Sequence, residues 1–477
     1  MTIGNLLTFS PEGWLLLGSL AVLAWSRVRR ERGNYEAGWI ALAAVVLALA
    51  ALATQLGSTL TILDGAFLLD RFAGFSGMIV LASAVVVLLL ALSDPDWSGR
   101  HGAAYAGFTL LALTGGLLMV SAADLITVFI ASQLFSLALV TMTALPRREP
   151  GWARSGLIAL TASMVGAALL GYGLALIYGL TGETRLTAAG AALASAHSSS
   201  SGLVLALALV IAGLGAQLGI VPLQGWRVRL ARRAVMPVLA FVASAGMVAT
   251  FALFARLIST VFAHAPVATA LTLAVLALIT MTTAGLAALS QTTVRGLLAW
   301  ALVGQAGYGL IGVAALSVAG LSALLIFLLS AAIASLTAFG WLMVWPSLRD
   351  RLPDLHGIGD SAPLFALGLS LGFASLIGIP PLIGFFGRVF LLEAAVQSRM
   401  AWLALFGVLN TLLGAAAGLR LLAAVYLEPT RTAVEAPALT RPARVALAAT
   451  TFGVVTLGAF LTFLYPAAQH AAQAILP

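Results

Sequence analysis

The chain has 477 residues, of which 61% are hydrophobic and 8% are charged, and its formal net charge is +8. Because soluble domains carry about 25% charged residues, this composition predicts an integral membrane protein. All 24 basic side chains are arginines and there is no cysteine. Disulfides, thiolate-bound iron–sulfur clusters and chemistry on a titrating lysine are therefore excluded. The positive charge lies in short loops between apolar stretches, which argues against nucleic-acid binding.

Apolar stretches of about 20 residues, the length that crosses a bilayer, predict an all-α membrane protein with about fourteen transmembrane helices. The predicted spans lie near residues 11–26, 37–57, 72–92, 103–121, 124–145, 156–180, 203–225, 236–262, 268–290, 296–316, 319–345, 361–387, 399–426 and 444–465.

Arginine placement predicts the orientation of these spans. Alternate loops carry Arg27, Arg29, Arg30 and Arg32; Arg100; Arg147, Arg148 and Arg154; Arg227, Arg229, Arg232 and Arg233; Arg295; Arg349 and Arg351; Arg431, Arg441 and Arg444. Positive loops stay on the cytoplasmic side, so both termini are expected on the opposite side. The composition and the absence of a recognisable targeting segment favour the inner (plasma) membrane of a bacterium.

Two spans contain proline near the middle of the membrane. One reads GLGAQLGIVPLQGW and contains Pro222; the other reads SLIGIPPLIGFFGR and contains Pro380 and Pro381. Proline interrupts helical hydrogen bonding, and a pair of interrupted helices in corresponding positions predicts two inverted five-helix repeats; simple kinks are the alternative. The predicted division is 1–102 (helices 1–3), 103–262 (first repeat), 263–427 (second repeat) and 428–477 (last helix).

Ionisable groups inside the spans are scarce. Asp124 stands at the start of the fifth span, Arg388 is expected to end the second interrupted helix, and Glu393 to follow it. The neutral polar residues expected at depth are Gln133, Gln217, Gln224, Gln305, Tyr308 and Asn410. Intramembrane polar groups often mark transport paths, although any one of these also fits a hydrogen bond between helices.

Four segments resemble the antiporter-like subunits of respiratory complex I, which are shared with Mrp-type cation/proton antiporters and membrane-bound hydrogenases. They are DLITVFIASQLFSLALV (124–140), GLGAQLGIVPLQGW (213–226), ALSQTTVRGLLAWALVGQAGYGLIG (288–312) and SLIGIPPLIGFFGRVF (375–390). The spacing from Trp226 to Pro237 and the segment LNTLLGAAAGLRLLAAVYLEP (409–429) resemble subunit N in particular. The resemblance implies a subunit without a catalytic or metal centre, among other membrane-arm subunits of an NADH:quinone oxidoreductase. Flavin, iron–sulfur clusters and quinone are then expected in the partner subunits.

The resemblance also implies a proton path of glutamate, lysine and histidine through the middle of the membrane, and this chain departs from it. The residues that replace those of the family are Gln133 (usually Glu), Gln217 (Lys), Gln224 (His), Met247 (Lys), Arg295 (Lys), Gln305 (His) and Arg388 (Lys). Amides and arginine do not exchange protons near neutral pH. We therefore interpret the relay as dismantled and the subunit as mainly structural. Arg388 is expected to pair with Glu393 or reach the membrane surface as a fixed charge, or else to shape a water path.

Three alternatives remain at this point. The chain is an active proton translocator that uses water with Asp124, Tyr308 and Glu393, or it is the equivalent module of a Mrp-type antiporter, a hydrogenase or a carbon-uptake complex. A stand-alone secondary transporter is the third, although neither interrupted helix shows a charged substrate site.

Overall fold

The computed structural model of the chain describes residues 9–28, 33–94, 97, 101–145, 152–195, 201–263, 266–348, 350–429 and 438–476. Some arginines of the predicted loops lie outside the described residues: Arg29, Arg30, Arg32, Arg100, Arg147, Arg148, Arg349 and Arg431.

Helices form nearly all of the described structure. Those of the first half are α1 Ser10–Val28, α2 Gly33–Gln55, α3 Arg71–Ala91, α4 Gly102–Ser121, α5 Leu125–Ala144, α6 Trp152–Thr181, α7 Leu186–Ser195, α8 Ser201–Leu218, α9 Gly225–Arg233, α10 Met236–Phe241 and α11 Met247–Val261. Those of the second half are α12 Pro266–Leu289, α13 Val294–Ala314, α14 Val318–Met343, α15 Ile358–Ser361, α16 Pro363–Ile377, α17 Ile383–Gln397, α18 Ala401–Tyr426, α19 Arg441–Thr456 and α20 Leu461–Gln473. Short 3-10 turns at Pro346–Leu348 and Leu352–Leu355 precede α15.

Short polar residues begin several of these helices. Asp70 accepts a hydrogen bond from the Ala73 amide at 2.8 Å at the start of α3, and Thr293 accepts one from the Gly296 amide at 3.1 Å at the start of α13. Such caps satisfy amides that have no partner within the helix. The caps fix where these helices begin, and the length of the apolar stretch determines where each of them ends.

Eleven helical segments of the described residues are long and apolar enough to cross a membrane, so the predicted number of fourteen is not confirmed. The other three predicted spans, near 11–26, 361–387 and 444–465, correspond to α1 and to two pairs of shorter helices. Both pairs are shorter because the chain leaves the helix between their members, at residues 378–382 and 457–460. The predicted division into domains stays a prediction.

One end of the bundle carries a small β-hairpin that the all-α expectation did not include. Strand β1 (Leu60–Ile62) pairs antiparallel with β2 (Phe67–Leu69), with Leu60 opposite Leu69. Near it, Arg256 of α11 forms an ion pair with Asp70 at 2.8 Å. This end therefore gathers the start of α3 and the end of α11.

The opposite end gathers loops of both halves. Arg295 donates to the Ala234 carbonyl at 3.0 Å, a short bridge joins Thr293 to Arg351, and Arg420 donates to the Leu289 carbonyl. These contacts place several of the predicted arginine loops at one end of the molecule, as their alternation requires. Which end faces the cytoplasm stays a prediction.

The most deeply buried segment is the run Met236–Val261, whose most apolar stretch is entirely enclosed. It contains the segment Val242–Gly246, which is wound as π-helix between α10 and α11. Single turns of π-helix inside α-helices are frequent at functional sites. This segment lies at the centre of the bundle, against the first helix break described below.

Candidate functional site

Two breaks in the helices share one local sequence. Residues 219–225 read GIVPLQG and residues 378–384 read GIPPLIG. In each, the leading half-helix ends just before a left-handed glycine, Gly219 with φ +68° and Gly378 with φ +87°. Glycine adopts this conformation without the steric cost that a side chain imposes, and the prolines that follow prevent the helix from continuing. The two breaks therefore arise from the same chemistry, 159 residues apart.

Arg227 closes the first break. Its guanidinium donates hydrogen bonds to the carbonyl of Leu218, the last residue of α8, and to that of Val242 at 3.1 Å. The side chain is only 4% exposed. A Cβ atom on Gly219 would lie 2.6 Å from Arg227 Cδ, so the glycine leaves room for the arginine stem. The expectation that Arg227 lies in a surface loop is wrong, because the carbonyls freed at the end of α8 attract its charge.

Arg388 closes the second break in the same way. It donates to the carbonyls of Leu376 and Ile377, both at 2.5 Å, and it is 8% exposed. Its guanidinium carbon also lies 4.2 Å from the centre of the Tyr308 ring, a cation–π contact. Arg388 does not end a helix: α17 starts at Ile383 and continues to Gln397.

The expected pairing of Arg388 with Glu393 is also wrong, since none of the contacts described for Arg388 is with a carboxylate. Glu393 lies inside α17, not beyond it, on an exposed part of that helix, and its carboxylate accepts a hydrogen bond from Gln397 at 3.0 Å. The sequence predicted a helix end at Arg388. Arg388 instead lies near the start of the half-helix α17, because the prolines end the preceding helix and a new one begins after them.

Three amides lie around the first break. Gln217 is in the last turn of α8, Gln224 immediately precedes α9, and the side-chain carbonyl oxygens of both are buried without a hydrogen-bond partner. Gln217 lines a cavity of about 30 Å³ together with Ser136 of α5. Gln133 is half-buried one turn before Ser136 and is 3.4 Å from the Ser132 hydroxyl. This cavity is lined mostly by apolar side chains, although its volume is large enough for a water molecule, and none of its lining residues titrates.

The next predicted path residue, Met247, lies in the central buried run Met236–Val261. Met247 directly follows the π-helical segment Val242–Gly246 and is 2% exposed. Arg227 joins this segment to the first break through the Val242 carbonyl. The position at which the resemblance predicts a lysine therefore holds a buried apolar side chain, next to the π-helical segment that Arg227 contacts.

Gln305 belongs to the second break and Arg295 does not. Gln305 is 3% exposed and donates to the Leu376 carbonyl at 2.8 Å, the same carbonyl that accepts from Arg388. Arg295 lies at the end of the bundle, where its Nε is 3.4 Å from an oxygen of the exposed Asp350 carboxylate. The sequence motif that contains both residues therefore splits between the membrane interior and its surface.

A second cavity of about 70 Å³ adjoins Arg388. Its polar lining comes from Tyr308, Trp300 and Asn410, and it extends toward Ala288 at the arginine-rich end of the bundle. The Asn410 side-chain oxygen and the Trp300 indole nitrogen are buried without a hydrogen-bond partner. The volume and these groups suit a few water molecules. The second break therefore adjoins the larger of the two cavities.

The structure does not bring together the predicted path residues Asp124, Tyr308 and Glu393. Asp124 caps α5, where its carboxylate accepts from the Ile126 amide at 2.9 Å. The Tyr308 hydroxyl donates to the Gly407 carbonyl at 2.8 Å. The three residues lie on α5, α13 and α17, and none of their described hydrogen bonds joins one to another.

Known proteins resemble this chain over nearly its whole length. A family model described as NADH:quinone oxidoreductase/Mrp antiporter, TM, matches residues 122–414. NADH-quinone oxidoreductase subunit N of Granulibacter bethesdensis is 32% identical over 482 residues, which cover 98% of this chain and 98% of that protein. NAD(P)H-quinone oxidoreductase subunit 2 of a Nostoc species is 31% identical over 415 residues, or 85% of this chain and 79% of that protein.

Solved structures agree with these relatives. A chain in the structure of respiratory complex I from Thermus thermophilus is 25% identical and superposes with a TM-score of 0.81, over 96% of this chain and 98% of that one. A chain of the Mrp complex from Dietzia sp. gives a TM-score of 0.80 at 22% identity and full coverage of both chains, which shows a shared fold. The chain therefore belongs to the family of antiporter-like membrane subunits that includes subunit N of NADH-quinone oxidoreductase.

Proposed function

We propose that this chain is the subunit-N-like component of the membrane arm of a complex-I-like NADH:quinone oxidoreductase, in which it does not relay protons along the usual lysine and glutamate positions. It would serve mainly to seal and brace the arm. The observation that carries the proposal is the pair of helix breaks, each closed by a buried arginine and surrounded by amides and backbone carbonyls.

A relay group has to take up and release a proton near the working pH, so its pKa has to lie close to neutrality. The Gln133 and Gln217 amides do not titrate there, and the Arg227 and Arg388 guanidinium groups keep their protons. Replacing the usual glutamate and lysine together also avoids leaving one of these two groups charged without the other in the low-dielectric interior.

The assignment to an NADH:quinone oxidoreductase is supported by the names of the relatives, one of which aligns with this chain over 98% of both proteins. The partners that follow from it are the neighbouring membrane-arm subunits, and flavin, iron–sulfur clusters and quinone would be held by other subunits. The likeness to the Mrp complex extends to the fold alone.

The test is to restore the relay in the whole complex. We expect the double variant Gln133→Glu with Gln217→Lys to assemble better than either single variant, because each single change buries one unpaired charge. The measurement is the number of protons translocated per electron in proteoliposomes. A native complex that already pumps the full number through this chain would contradict the proposal.

A further inference from the structure

We propose that Arg227 and Arg388 act as electrostatic seals that stop protons and other small cations from leaking across the membrane at the two helix breaks. The inference rests on the proposed function, since a subunit that has lost its proton relay still has to prevent ions from leaking across the membrane. It adds a role that loss of the relay alone does not require: active rejection of cations by a fixed charge.

The first step is that neither charge is neutralised by an acidic group. The described contacts of the two guanidinium groups are with backbone carbonyls, with the Thr411 hydroxyl and with the Tyr308 ring, and none is with a carboxylate. Arg256, by contrast, is equally buried but pairs with Asp70. The arginines at the breaks therefore differ from the ordinary buried ion pair in the same chain.

The helix dipoles contribute little net charge at the two breaks. At each break the carboxyl end of one half-helix, α8 or α16, is followed, after at most six residues, by the amino end of the next, α9 or α17. The partial charges at these ends are about −0.5 and +0.5, so they largely cancel. The guanidinium charge is then the net charge at the break, although the carbonyls hold it firmly in place.

The third step is that water can approach this charge. The cavity of about 70 Å³ runs from Ala288 and Leu297, near the arginine-rich end of the bundle, to Tyr308 and Arg388. The buried and unpaired oxygen of Asn410 gives water in this cavity a hydrogen-bond partner. A hydrated cavity that ends deep inside a membrane protein is a route for leakage unless something closes it.

Arginine is suited to closing such a route in two ways. Its positive charge raises the energy of any cation that approaches, as arginine does in water channels that exclude protons. It also does not release its own proton, so a proton cannot pass through it by exchange. Arg388 lines the cavity of about 70 Å³ that it would seal. At the first break the cavity beside Gln217 is smaller, about 30 Å³, and it is lined by Trp226, the residue before Arg227.

The experiment measures passive leak through the assembled complex in proteoliposomes, without NADH, so that it is independent of the proton-to-electron count. The variant is Arg388→Met, and the matched control is Arg420→Met, which removes an arginine that donates to the Leu289 carbonyl away from the break. We expect proton and potassium leak to rise on the order of tenfold to a hundredfold with Arg388→Met. Chloride leak should stay unchanged in both variants.

Three results would overturn the proposal: unchanged proton leak, an equal rise in chloride leak (which indicates a structural opening), or an equal effect of Arg420→Met. If the Arg388→Met complex does not assemble, Arg388→Lys decides, because a buried lysine with no carboxylate partner loses its proton far more readily than arginine. The proton leak through the Arg388→Lys complex should increase as the pH is raised from about 6 to about 9, whereas the leak through the native complex should not increase. Leak that is the same at both pH values would refute the seal. Whatever leak is observed, the number of protons translocated per electron by the native complex tests the proposed function separately.

Discussion

Asp70→Asn is expected to destabilise the protein strongly through the buried ion pair with Arg256. Two parallel hydrogen bonds of 2.8 and 2.9 Å join the guanidinium to the carboxylate, and the two side chains are 3% and 4% exposed. Removing one partner of such a pair leaves an uncompensated charge, which costs about 3–5 kcal/mol. Asparagine still caps α3, so the loss of stability measures the contribution of the ion pair and not that of the cap.

Two further variants separate the contributions. Asp70→Ala also removes the hydrogen bond from the Ala73 amide and should cost about 1 kcal/mol more than Asp70→Asn. The double variant Asp70→Asn with Arg256→Met removes the stranded charge and should recover at least half of the loss. The assay is the unfolding of the detergent-purified full chain in SDS. A double variant no more stable than Asp70→Asn would refute the reasoning.

Four other substitutions have defined expectations in the same unfolding assay. Gly378→Ala should cost about 1–2 kcal/mol because alanine is strained at a φ of +87°, whereas Gly414→Ala, with open space around its Cβ position, should stabilise α18 by about 0.5–1 kcal/mol. Tyr308→Phe should cost about 1 kcal/mol by removing the hydrogen bond to the Gly407 carbonyl. Asp124→Ala should cost about 1 kcal/mol by uncapping α5. Changes of the opposite sign would contradict the contacts described for each residue.

Features set by local chemistry could be predicted from the sequence. Apolar length predicted eleven of the spans, and Pro222 and Pro380 marked both helix breaks. The predicted number of fourteen is not confirmed, in part because the chain around Pro380 forms two half-helices of 15 residues each. Residue counting treats such a pair as one span, although neither half has the length that crosses a bilayer.

Features set by tertiary contact could not be predicted. Arg227 looked like one more loop arginine, and its burial follows from the free carbonyls at the end of α8. Arg388 looked like a helix end or a partner of Glu393 for a similar reason. One signal was available in the sequence: the repeated GIVPLQG and GIPPLIG segments, each followed by arginine within four residues of the last glycine. The pairing of Asp70 with Arg256 spans 186 residues and left no local mark.

The proton count of the assembled complex tests the central claim most directly. The measurement compares protons translocated per electron by the native complex and by a complex in which Asp124→Asn, Tyr308→Phe and Glu393→Gln are combined in this chain. The absence of a relay predicts a count that is short of the full number and the same in both complexes. A full count in the native complex that falls in the triple variant would contradict it.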